Sequence, residues 1–78
     1  MSALRSYALR RLDFDGNLTV DILPTIKSEA SILKEARNAA KLSGFRQATA
    51  GVYDDATGRF LPIATFESLD GVRVRKVA

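Results

Sequence analysis

Residues 28–44 read SEASILKEARNAAKLSG, the one stretch of this 78-residue chain whose apolar side chains recur at helical spacing. Leu33, Ala36 and Ala40 form a row with Ile32 and Ala39 beside it, which makes a single apolar stripe. Ser28 is placed to cap the first turn, and Glu29 sits at the positive end of the helix dipole. Arg37 and Lys41 lie toward the negative end. Gly44 supplies a left-handed residue after the last turn, with Phe45 placed to fold back on Ala40. A stripe this rich in alanine lets a helix lie close against a sheet. The opposite face carries Ser31, Lys34, Glu35, Asn38 and Lys41 and reads as solvated.

Before the helix, residues 4–23 read as a β-hairpin turning at Asp15-Gly16-Asn17. A three-residue loop opposes Phe14 to Leu18, Leu12 to Val20 and Arg10 to Ile22. The other face then pairs Asp13 with Thr19 and Arg11 with Asp21. This register sorts apolar from polar better than a two-residue loop, which sets Arg11 against Val20 and Asp13 against Leu18. Tyr7 and Leu9 have the opposite parity to Leu12 and Phe14. That discord calls for a bulge near Arg10 and Arg11, or for Tyr7 and Leu9 on the outer face. Pro24 ends the second strand, and Ile26 is placed to staple onto the helix.

After the helix come two strands, residues 45–54 and 59–67, joined by the turn Asp55-Ala56-Thr57-Gly58. With Asp54 opposite Arg59, Val52 faces Leu61, Ala50 faces Ile63 and Ala48 faces Thr65. The alanines on that inner face make room for the helix. Pro62 marks its strand as an edge or as bulged at that point. A turn pairing Leu69 with Val72 leads to a last strand, residues 72–77, with Glu67 opposite Val74. The fold class is α+β, in the order ββαβββ. One α-helix packs on one face of a mostly antiparallel sheet of about five strands, and residues 1–78 form a single small domain.

Composition narrows the chemistry. The chain has Cys 0 and His 0, which rules out disulfides and thiolate–imidazole metal sites. A chain this short has a thin core, and without those supports self-association becomes an attractive one. The N-terminal segment has charges scattered through it and no apolar run of signal-peptide type, so the expected location is cytoplasmic, with no membrane attachment. Residues 1–70 balance their charges. The net +3 arises in the last eight residues through Arg73, Arg75 and Lys76. Basic residues there either attract phosphate or guard an edge strand against aggregation, and the second reading is preferred.

One helix covers one side of a sheet, so the other side is where function is sought. The registers above place Tyr53 opposite Phe60, Gly51 opposite Pro62, Thr49 opposite Ala64 and Gln47 opposite Phe66 on that side. Arg75 comes opposite Phe66, and Arg73 opposite Ser68. The candidate interaction surface is therefore Tyr53, Phe60, Pro62, Phe66, Arg73, Arg75 and Lys76. An apolar patch rimmed by polar residues suits a homodimer or a protein partner. Aromatic rings beside arginines also suit single-stranded nucleic acid, but RNP and GXXG motifs are lacking. A third reading has sheet twist bury the rings as a second small core.

Nothing in the sequence marks reaction chemistry. The glycines are isolated, no phosphate-binding loop or nucleophile elbow occurs, and no cofactor or metal is implied. Asp13, Asp15, Asp54 and Asp55 flank turns, where aspartate is favoured for its bonds to nearby backbone N–H groups. The sequence reading is a non-catalytic binding protein.

Overall fold

The computed structural model describes residues 5–42, 45–69 and 73–77. They form β1 (Arg5–Leu12), β2 (Leu18–Ile22), α1 (Glu29–Leu42), β3 (Gln47–Asp54), β4 (Arg59–Ser68) and β5 (Val74–Lys76). The five strands make one antiparallel sheet in the order β2-β1-β3-β4-β5, and α1 packs on one side of it, mainly against β3. The expected ββαβββ order and α+β class hold.

Helix α1 follows its sequence signals. The backbone N–H of Ser31 donates to Ser28 Oγ at 3.2 Å, so Ser28 caps the helix. Ile32, Ala36 and Ala40 are fully buried, Ala39 nearly so, and Leu33 packs beside them. They meet Ala48, Ala50, Ala64, Leu9 and Phe66 of the sheet in one cluster. Gly44, expected to end the helix, lies outside the described residues.

The sheet departs from expectation in three places. In the first hairpin Leu12 pairs with Leu18 and Arg10 with Val20, so the loop is residues 13–17 rather than 15–17. Asp13 is drawn into the turn by its own side chain. Its Oδ1 accepts the N–H groups of Asp15 and Asn17, each at 2.9 Å, and its Oδ2 accepts the Asn17 amide at 3.2 Å. Gly16 holds φ +90° within the loop. The expected partner of Phe14 is thus lost, and Phe14 is left 62% exposed in the turn.

The faces of this hairpin are also the reverse of the sequence reading. Strand β1 pairs with β3 without a bulge from Arg5 to Leu12, setting Tyr7 against Val52, Leu9 against Ala50 and Arg11 against Ala48. Because β3 presents its alanines to α1, Tyr7 and Leu9 face the helix. Leu12, Leu18, Val20 and Ile22 face away. Arg11 comes to the helix side too. It ion-pairs with Asp21 on the neighbouring strand and lies 5.3 Å from the centroid of the Phe45 ring.

The second departure is a bulge in β4. Gly51 pairs with Pro62, as expected, but Ala50 pairs with Ala64, leaving Ile63 as the extra residue. Proline has no N–H to donate and is tolerated at edges and bulges, and Pro62 stands directly beside this one. Every later residue changes face. Thr49 now pairs with Thr65, Ala48 with Phe66 and Gln47 with Glu67, in place of the Ala48–Thr65 and Gln47–Phe66 pairs expected. Phe66 is consequently part of the core, at 8% exposure.

The third departure is a one-residue shift of β5. Phe66 pairs with Lys76, Glu67 with Arg75 and Ser68 with Val74, and Leu69 N–H donates to Arg73 C=O at 2.9 Å. The expected Glu67–Val74 pair is therefore not formed, and Val72 of the expected Leu69–Val72 pair lies outside the described residues.

Asp13 carries a pH signature. The donated N–H groups, that of Asn17 foremost, hold its carboxyl below the ordinary value of 3.8. A depressed folded-state pKa stabilises the fold above the unfolded value, and the contribution is lost as pH falls through the folded one. Thermal unfolding should therefore show Asp13→Ala less stable than wild type at pH 7. That gap should narrow as the pH is taken below 3.8.

Candidate interaction surface

The side of the sheet away from α1 is built from alternate residues of each strand. From one edge to the other it presents Leu18, Val20 and Ile22 of β2, then Leu12, Arg10, Ala8 and Ser6 of β1. Next come Gln47, Thr49, Gly51 and Tyr53 of β3, then Glu67, Thr65, Pro62 and Phe60 of β4, and Arg75 of β5. Helix α1, about 21 Å long, meets β3, β4 and β1, and Leu61 on the same side stays 41% exposed, so the helix does not cover the whole of that side.

The outer face divides into two regions. The first is polar and internally satisfied. Thr49 and Thr65 share a hydroxyl–hydroxyl hydrogen bond of 3.0 Å. Arg75 Nη2 lies 2.9 Å from Glu67 Oε1, and Gln47 Nε2 donates to Glu67 Oε2 at 3.5 Å. Beside these, the Phe60 ring lies against Gly51, and Arg10 sits over that ring at 4.9 Å from its centroid. Tyr53 and Phe60 form the expected cross-strand pair and both are half-buried.

The second region is apolar and open. Leu18 is 59% exposed, Val20 42% and Ile22 46%, in a row along the edge strand β2. Sequence reasoning placed these residues on the helix side and so missed them as surface. The parity conflict between Tyr7–Leu9 and Leu12 was the signal. A single helix can cover only one of two apolar sets on the same strand, and the other set must face away.

Of the expected surface residues, the structure brings Tyr53, Phe60, Pro62 and Arg75 to the outer face. Phe66 belongs to the core under α1, because the bulge beside Pro62 turns it inward. Lys76 pairs with Phe66 and lines a hollow with Leu33, Lys34 and Arg37 on the helix side, so it is not part of the patch. Arg73 precedes β5 and is exposed. The basic side chains are thus split between the two sides of the sheet, and Arg75 is matched by Glu67 on the outer one.

Two of the turn aspartates, Asp13 and Asp54, are occupied by their own loops. Asp54 Oδ1 accepts the Ala56 N–H at 3.1 Å, and its Oδ2 lies 3.8 Å from Arg5. Among the described residues, no helix is long and apolar enough to cross a membrane. No protein-family model matches the chain, and neither a curated protein nor a solved structure matches it.

The packing of Phe60 on Gly51 sets a stability test. A Cβ at position 51 would stand 2.5 Å from the Leu61 carbonyl oxygen and 2.6 Å from Phe60 Cζ. The ring can swing aside, but the backbone oxygen cannot without moving the strand. Gly51→Ala should cost about 1–3 kcal/mol in denaturant unfolding. Phe60→Ala in the same chain relieves only the ring contact, so the double variant should stay below Phe60→Ala alone.

Proposed function

We propose that this protein is a non-catalytic binding module of the cytoplasm that works as a homodimer and meets a protein partner through its helix-free sheet face. The observation that carries this reading is the exposed row Leu18, Val20 and Ile22 on that face, with Phe14 exposed in the adjoining turn. An antiparallel sheet with one solvated side is expected to present polar residues there, and an apolar row in their place favours association. The thin core of a 78-residue chain with Cys 0 adds to the argument, because dimerisation removes apolar surface from water that the single chain leaves exposed. The lack of cysteine also fits a reducing compartment.

The polar half of the face supports protein recognition more than base stacking. Arg10 lies over the Phe60 ring and Arg75 is paired with Glu67, so both groups that would serve a nucleotide are already engaged within the chain. Size-exclusion chromatography with light scattering should return twice the chain mass of 8.5 kDa for the wild type. Ile22→Lys should return the single mass with its circular dichroism unchanged. A wild type that stays monomeric at every concentration refutes the dimer.

A further inference from the structure

Among the described residues, open backbone edge runs along β5, the first part of β4 and β2, and these stretches are not equivalent. Strand β5 is basic, carrying Arg75 and Lys76. The first part of β4 is open because, among the described residues, the β5 segment meets it from Thr65 onward, but that part holds Pro62 and the bulge at Ile63. Charge, proline and bulges are the devices that keep edges from pairing. Strand β2, LTVDI, has no proline, no bulge against β1 and no cation. Its one charge, Asp21, points to the helix side and is matched by Arg11 of its own chain.

The direction of the β2 backbone groups follows from the ladder. Asp13 N–H donates to Asn17 C=O at 3.0 Å, and Leu23 N–H donates to Tyr7 C=O at 2.8 Å. In an antiparallel pair hydrogen-bonded positions alternate, so Thr19 and Asp21 also turn their groups toward β1. The N–H and C=O groups of Leu18, Val20 and Ile22 then point out from the edge. The three exposed apolar side chains and the three free backbone pairs belong to the same residues.

We infer that two copies of this chain join through β2, antiparallel, about a two-fold axis at Val20, into one continuous sheet. This rests on the homodimer reading above and specifies its geometry. Val20 then faces Val20 of the second copy and Leu18 faces Ile22, so every outward N–H and C=O of the three residues is paired. On the helix side Asp21 comes opposite Thr19, and no like charges meet. Moving the register one step toward Asp21 would set Asp21 against Asp21, which is destabilising. One step the other way sets Thr19 against Thr19 and leaves Ile22 with no apolar partner. The strand is self-complementary in one register. Both helices lie on one side of the joined sheet, and the two apolar rows lie side by side on the other.

Two variants of the full chain test this. Val20→Pro removes an N–H that points away from β1, so the monomer's own ladder is kept while the joint loses its central hydrogen bonds. It should raise the dimer dissociation constant by on the order of tenfold or more. Val20→Cys places a lone thiol at the axis. Hydrogen-bonded antiparallel partners stand about 5.5 Å apart at Cα, within the reach of a disulfide. Mild oxidation with oxidised glutathione should give a covalent dimer from Val20→Cys much faster than from Thr57→Cys at the far turn, and this holds even if the proline variant folds poorly. Equal cross-linking of the two thiols overturns the joint. If Val20→Pro remains a dimer while Ile22→Lys is monomeric, association is through the face, and the β2 pairing falls while the homodimer stands. A monomeric wild type removes both.

Discussion

The contact on which the rest of this structure depends is alanine against alanine. Ala36, Ala39 and Ala40 of α1 meet Ala48, Ala50 and Ala64 of the sheet, with Ile32, Leu9 and Phe66 adding bulk at the centre and Tyr7, Leu23, Ile26, Leu33 and Val74 packed around them. Small side chains bring the helix axis close to the strands, so the buried volume is modest and each position is sensitive to added atoms. The same closeness limits coverage. Among the described residues, one short helix seated on the central strands leaves part of its own side and the other side of the sheet without a second layer.

Which apolar residues fall under that helix is decided by β3. Its alanines face α1, and antiparallel pairing passes that choice outward to each neighbour. On β1 it selects Tyr7 and Leu9, and thereby sends Leu12, Leu18, Val20 and Ile22 to the open face. On β4 the choice passes through a bulge, which turns Phe66 inward and leaves Pro62 on the outside. The outer surface is thus a consequence of the core. A chain with two apolar sets on its first hairpin and one helix to cover them must expose one set.

Local signals were readable wherever the physics is local. The Ser28 cap, the apolar stripe of α1, the turn at residues 55–58 and the Asp54–Arg59 register all follow from residues within a few positions of each other. The first hairpin was legible as a hairpin but not in its register, because the Asp13 carboxylate competes for the loop N–H groups and draws Asp13 and Phe14 into the turn. Proline at 62 announced an irregularity without saying which way later residues would point. Of the surface residues, Tyr53, Phe60 and Pro62 precede or coincide with that irregularity and kept their face, whereas Phe66 lies beyond it and did not.

The amino-acid sequence by itself determined the element order, the single helix with its narrow alanine stripe, and the absence of thiol and imidazole chemistry. These depend on residue type and short-range spacing. Only the tertiary structure decided which face of β1 and β2 is buried, since that is settled by the β1–β3 pairing between segments some forty residues apart. A period of two makes the two faces of a strand equivalent until a neighbour breaks the tie. Here the neighbour is β3, and the tie broke in favour of Tyr7 and Leu9.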